Sequence, residues 1–283
     1  MTRKTPEYVL LRVDFYSPYT SVQFFAEHGR GVPVPPPSTL LGALAAVLYH
    51  PTEREVGEEV VEAVRYASFY VPHYQSVENI SRHFTWLSQK KQRIKALKAA
   101  TRLVEGASIN EVYKDLKNYA NIKSSLEELR KHSPIEVARI AVQVLLMPAT
   151  RLETYFAESG YLLYVIDDPK VAESARMIYR LGPKESLIAV TPLEVENVQR
   201  IRDGAIKTRF YFPRDAARNV INCIETYMFD RPVENPLFST PRKYCLPNPI
   251  EDMLVEPVDG WVPVQIIADG LELSAMVPEH AAP

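Results

Sequence analysis

The sequence predicts an α+β fold, and three observations carry that prediction. Runs rich in β-branched and aromatic residues, at 8–15, 67–74, 151–156, 161–166 and 187–195, are separated by helical stretches. Two helix starts are written explicitly, a Ser133-Pro-Ile-Glu136 capping box and an Asp168-Pro169 cap. With the largely helical stretch 75–147 set aside, the order is β-α-β-β-α-β, a ferredoxin-like arrangement. Short β-rich runs then follow from 205 to 283.

The first strand, 8–15, precedes a loop at 16–36 that holds Tyr16, Tyr19, Phe24, Phe25, His28 and Arg30. A loop of this length in a compact domain serves function or is disordered. Prolines at 33 and 35–37 block any helix arriving from upstream, and Pro37 can open one, so the first helix is placed at 37–49. Gly42 inside it lowers helix propensity and suggests a close approach to a sheet. A second helix with an acidic face is expected at 53–66, then a strand at 67–74 with Pro72 at its end or edge. Residues 110–131 show helical spacing through Val112, Leu116, Tyr119, Leu126 and Leu129. The capping box starts a helix that runs through Ile140 and Val144 and stops before Pro148. The helix opened by Asp168 is expected to reach Arg180 and end at Leu181-Gly182-Pro183. In the last part, strands are read at 207–212, 225–229, 263–268 and 271–277. The domain reading is a first domain at 1–200, with 75–147 as a helical insertion, and a smaller β-rich lobe at 201–283.

Composition narrows the function. At 283 residues and 46% hydrophobic, the chain can bury at least one full core. No apolar run reaches the length of a bilayer span, and Met1-Thr-Arg-Lys-Thr-Pro6 lacks the apolar region of a secretory signal, so a soluble cytoplasmic protein with no membrane partner is expected. Cys223 and Cys245 lack Cys-x-x-Cys spacing, which argues against a zinc site or a disulfide framework and leaves a buried thiol as the default for each. A net charge of −2 argues against non-specific coating of nucleic acid. The charge is unevenly spread: the last 39 residues hold seven acids and no Lys or Arg, leaving 33 basic against 28 acidic residues, or +5, in the first 244.

The densest basic segment lies between Glu78 and Glu105. It carries Arg82, Lys90, Lys91, Arg93, Lys95, Lys98 and Arg102 with no acid among them. On a helix, Lys91, Lys95, Lys98 and Arg102 fall on one side, and Leu87, Ile94, Leu97 and Val104 share a neighbouring apolar face. His83, Phe84 and Trp86 precede it. Cations neutralise phosphates and aromatics stack bases; the plainer reading is the solvated face of an amphipathic helix. Ser38 and Thr39 sit at a helix N-terminus whose unpaired amides and dipole suit a phosphate; the plainer reading is a buried helix behind a proline-rich turn. Gly182 and Lys184, in Arg180-Leu-Gly-Pro-Lys-Glu-Ser-Leu187, offer close backbone and a cation to phosphate, against a simple helix C-cap.

No nucleotide-phosphate loop, Gly-x-Ser-x-Gly elbow or His-Glu-x-x-His occurs. His28, His50, His73, His83, His132 and His280 show no metal-ligand spacing, so no cofactor or metal is expected. Metal-independent RNA cleavage needs only a base and a cation. His83 with Lys90 or Lys91, and Tyr16 or Tyr19, supply those types without a local motif to fix their geometry.

The strand at 8–15, the long loop and the Pro36-Pro-Ser-Thr-Leu-Leu-Gly-Ala-Leu-Ala45 helix resemble the N-terminal signature of the fifth CRISPR-associated protein family, of the RAMP superfamily. The likeness is strongest over 8–49 and continues at 151–195. It implies an RNA-recognition core, a thumb beside the guide RNA formed by the insertion, and a reduced glycine loop at 182. It further implies a non-catalytic subunit of a type I Cascade complex, closest to the archaeal subtype I-A branch. Such a subunit grips the 5′ handle of CRISPR RNA, caps the filament of backbone RAMP subunits, and meets the large subunit that inspects target DNA. The alternative is a metal-independent endoribonuclease that processes CRISPR repeat RNA.

Overall fold

The computed structural model describes residues 6–19, 32–48, 56–81, 90–117, 126–145, 150–182, 186–202, 204–231, 240–248 and 251–283. In chain order the first elements are β1 (Glu7–Phe15), α1 (Pro37–Leu48), α2 (Val56–Ala63), β2 (Val64–Tyr70) and β3 (Gln75–Ser81). Then come α3 (Lys90–Val104), α4 (Ile109–Lys117), α5 (Leu126–Leu129) and α6 (Pro134–Leu145). The chain returns through β4 (Thr150–Phe156), β5 (Ser159–Ile166), α7 (Pro169–Ser174), β6 (Ile188–Leu193) and β7 (Val195–Arg200). The remainder is β8 (Ile206–Thr208), β9 (Phe212–Pro213), β10 (Ala217–Ile221), β11 (Cys223–Met228), β12 (Arg242–Pro247), β13 (Met253–Pro257), β14 (Trp261–Ala268) and β15 (Leu271–Pro278). The chain forms an α+β fold of two compact units, residues 1–78 with 152–283, and residues 79–151.

The first unit is built on a four-stranded sheet of order β2-β5-β1-β6, antiparallel throughout. Alternation along β1 sends Val9, Leu11 and Val13 to one face and Leu10 to the other. On the first face, Leu162 and Tyr164 of β5 join Leu40 and Leu44 of α1 and Val171 of α7 in one core. On the second, Leu10, Leu163 and Val165 pack against Val264, Ile266 and Val277 of β14 and β15. Residues of the C-terminal run also enter the first core, among them Tyr211, Met228 and Leu246. β14 and β15 are joined by Asp269 and Gly270, both at positive φ, the two-residue turn an Asp-Gly pair favours. Gly160 is required by close approach: a Cβ there would stand 2.5 Å from the Phe69 ring.

In the second unit, Val137, Ala138 and Ala141 of α6 and Val112 and Leu116 of α4 are buried. The capping box forms as its spacing predicts. The Ser133 amide donates to Glu136 Oε2 at 2.8 Å, and the Glu136 amide donates back to Ser133 Oγ at 3.3 Å. The Ser133 amide and hydroxyl, both donating to this carboxylate, hold it below its ordinary range. In the first unit, Asp168 caps α7 by accepting from the Lys170 amide at 2.8 Å.

Several expectations are corrected. Cys223 and Cys245 are not separate thiols but a disulfide; β11 and β12 are antiparallel neighbours, so pairing brings together residues 22 apart that no spacing motif connects. Gly42 is exposed with nothing within 4 Å of an added Cβ, so it marks no approach to a sheet. The second helix ends at Ala63 and its strand begins at Val64, three residues before the expected 67, because Tyr66, Phe69 and Tyr70 are drawn into the two cores. The α7 helix stops at Ser174 and passes through a 3-10 turn at Ala175–Met177, short of the expected Arg180. The strand read at 187–195 is β6, and a further strand the sequence did not show, β7, follows it in a different sheet.

Candidate nucleic-acid interface

Helix α3 carries the basic segment, and its packing is set by its small residues. Ala96, Ala99, Ala100 and Leu103 are buried. The short alanine side chains let the helix lie close to its neighbours on the face that also buries Leu103, while Ile94 is 44% exposed, Leu97 52% and Val104 70%. This corrects the expectation that Ile94, Leu97 and Val104 form the packed face. Lys95, Lys98 and Arg102 are exposed and occupy an adjacent strip by helical spacing. Arg102 has Glu111 at 3.6 Å. Lys90 and Lys91 open the helix and Arg93 follows within its first turns, with no acidic residue in the first turn. Cations at a helix N-terminus oppose the macrodipole, so this placement is unfavourable for the helix in isolation. Arg82 and His83 lie outside the described residues.

At α1 the amides expected to be unpaired are in use. The Ser38 amide donates to the Phe229 carbonyl at 3.1 Å, and those of Thr39 and Leu40 donate to the Pro36 carbonyl at 2.9 and 3.1 Å. Ser38 and Thr39 are half-buried. The proline-rich turn before them is held by tyrosine hydroxyls: Tyr19 donates to the Pro33 carbonyl and Tyr211 to that of Pro35 at 3.1 Å. Tyr164 reaches the Leu40 carbonyl at 2.7 Å. Burial raises the pKa of all three hydroxyls. Tyr19, 2% exposed and committed to Pro33, is therefore unfit as an acid, base or RNA contact. These observations favour the structural reading of the turn; any anion site here would rest on the Ser38 and Thr39 hydroxyls.

Gly182 is exposed at φ 91°, within a loop closed by the Arg180–Leu187 bridge and by the Leu181 amide donating to Ser186 at 3.1 Å. It serves this loop and not the end of α7, which lies further back. Lys184 lies outside the described residues. Among the described residues no group of three His, Cys, Asp or Glu side chains is placed to hold a metal ion, and no helix is long and apolar enough to cross a membrane.

One surface escaped the sequence reading. The second face of the four-stranded sheet is covered by β14 and β15 around Leu10 and Leu163, and by Phe210 against Tyr70, which is buried with Tyr161 partly buried beside it. At its margin, register aligns Tyr70, Tyr161, Arg12 and Thr191 across the four strands, with Arg12 and Thr191 exposed. Further along, Tyr16 stands beside Leu187, its amide bonded to the Leu187 carbonyl at 3.1 Å, and Leu187 faces Arg180. Residues so far apart in sequence meet only through strand order, which composition does not encode.

No protein-family model matches the chain, and no curated protein matches it. Among solved structures, it is similar to a CRISPR protein from Archaeoglobus fulgidus at 14% sequence identity and a TM-score of 0.47, over 96% of this chain and 99% of that one.

Proposed function

We propose that this chain is a non-catalytic RNA-binding subunit of a type I CRISPR surveillance complex. It grips the 5′ handle of the CRISPR RNA, caps the filament of backbone subunits and meets the large subunit. The observation that carries the reading is α3: Lys95, Lys98 and Arg102 are exposed, and the helix sequence holds no acidic residue. Lys90 and Lys91 stand at the helix N-terminus, where they do not serve helix stability. The sheet order β2-β5-β1-β6, with α1 and α7 on one face, is that of a ferredoxin-like domain and supports the RAMP assignment. The N-terminal resemblance supplies the family. A cytoplasmic protein with a disulfide fits a hyperthermophilic host, since intracellular disulfides are otherwise rare, and this agrees with an archaeal source.

The test is incubation of the purified chain with labelled CRISPR repeat RNA in chelator, sampled over hours. An intact bound RNA supports the proposal. A shortened product ending in a 2′,3′-cyclic phosphate would establish an endoribonuclease instead. Absence of binding would reject both.

A further inference from the structure

We propose that the uncovered end of the second sheet face is a base-stacking platform for a single-stranded RNA segment, formed by Tyr16 and Leu187, with the partly buried Tyr161 at its margin and Arg12 and Arg180 at its side. The inference deepens the RNA-binding reading and rests on it. It adds a site on the first unit that is independent of α3.

Parity along β1 places Arg12, Asp14 and Tyr16 on the face opposite Val13 and Phe15. Register then sets Arg12 between Tyr161 and Thr191, and Asp14 between Ser159 and Ala189. Tyr16 and Leu187 continue the ladder one step on. Tyr16 is 75% exposed and Leu187 48%, so the apolar surface here is open to solvent. A singly exposed aromatic is ordinary; an aromatic and a leucine side by side on a rigid sheet, flanked by arginines, is the composition that accepts splayed bases.

The margin of the platform is braced from the β2 side. Tyr161 stacks on Tyr70 with ring centroids 5.7 Å apart and planes at 16°. Tyr70 in turn lies under the Arg209 guanidinium at 5.6 Å and accepts a hydrogen bond from it at 2.9 Å. Arg12 is fixed along the sheet by Asp14 at 3.1 Å, with both side chains partly exposed. Such a pair is weak in water and exchanges readily for a phosphate. Arg180 lies over Tyr179 at 5.7 Å. Along β1, Tyr16 and the level of Tyr161 are about 13 Å apart, four residues of strand, the span over which an RNA-recognition sheet stacks about two or three bases. A duplex, whose bases are already stacked and paired, offers this surface nothing.

The experiment uses the full chain and a single-stranded RNA of about ten nucleotides with 2-aminopurine at each position in turn. With wild-type protein, fluorescence at one or two positions is expected to be quenched by stacking. Tyr16→Ala should weaken binding about tenfold, abolish quenching at one position and leave the salt dependence unchanged, because no phosphate contact is lost. Tyr16→Phe should restore wild-type behaviour. Arg12→Gln should instead reduce the salt slope by about one unit. The same RNA as a duplex should fail to compete. The platform is overturned if Tyr16→Ala and Arg12→Gln both bind and quench like wild type, whether RNA is then held by α3 alone or this face meets a protein. In that case Lys95→Gln/Lys98→Gln still weakens binding and the RNA-binding reading survives. If wild-type protein binds no RNA, both fall together.

Discussion

Individual residues decide more here than their neighbours in sequence suggest. Gly160 carries no side chain because the Phe69 ring and the Tyr70 carbonyl fill the space a Cβ would take, at 2.5 and 2.9 Å. Gly160→Ala must push Phe69 out of the first core, so a loss of about 1–3 kcal/mol in chemical denaturation is expected. Gly42→Ala, on an exposed helical position with open space, should be neutral or stabilising by up to about 1 kcal/mol. Ser133 is worth about 1 kcal/mol to α6 as an N-cap, which Ser133→Ala measures. The cap also has a pH signature. The Glu136 carboxyl is lowered by the Ser133 amide and hydroxyl, so it binds fewer protons folded than unfolded. Its contribution is complete above the ordinary glutamate range and disappears as pH falls through its lowered native value. Glu136→Gln should flatten that acid limb of the stability curve.

Among the elements, those whose ends are chemically marked were legible in the sequence. The Ser133-Pro-Ile-Glu136 box and Asp168-Pro169 form the caps they spell, because a cap depends on residues within one turn. Helix α3 was legible as a helix but misread by face. Hydrophobic periodicity selects Ile94, Leu97 and Val104, whereas the structure buries the alanines that permit close packing. The cation strip itself is independent of that choice and remains exposed at Lys95 and Lys98. β10, β12 and β13 were missed because short strands in a proline-punctuated run carry little local signal, and the disulfide was missed with them. That bond closes a loop of 22 residues between β11 and β12, so reduction, or Cys223→Ser with Cys245→Ser, should cost about 3 kcal/mol in an unfolding titration. A loss below about 0.5 kcal/mol would mean the hairpin is held by its ladder and ion pairs alone.

At the scale of the molecule, the central sheet is enclosed on one face by α1 and α7, and on part of the other by β14, β15 and Phe210. This closes part of the surface that RNA-recognition sheets use, and the proposals above put RNA at its open end and along the cation strip of α3. The sheet order was implicit in the β-α-β-β-α-β succession, but the covering of its second face was not. Nothing in residues 261–278 announces which face of which sheet they meet. In the proposed function α3 tracks phosphates, and this is read in the salt dependence of single-stranded RNA binding by wild-type protein and by a variant with Lys90, Lys91, Lys95 and Lys98 all changed to Gln. If these cations neutralise phosphates, the slope of log Kobs against log salt should fall in magnitude by about 3 and affinity should drop for every sequence alike. An unchanged slope and affinity, in a variant with wild-type thermal stability, would contradict it.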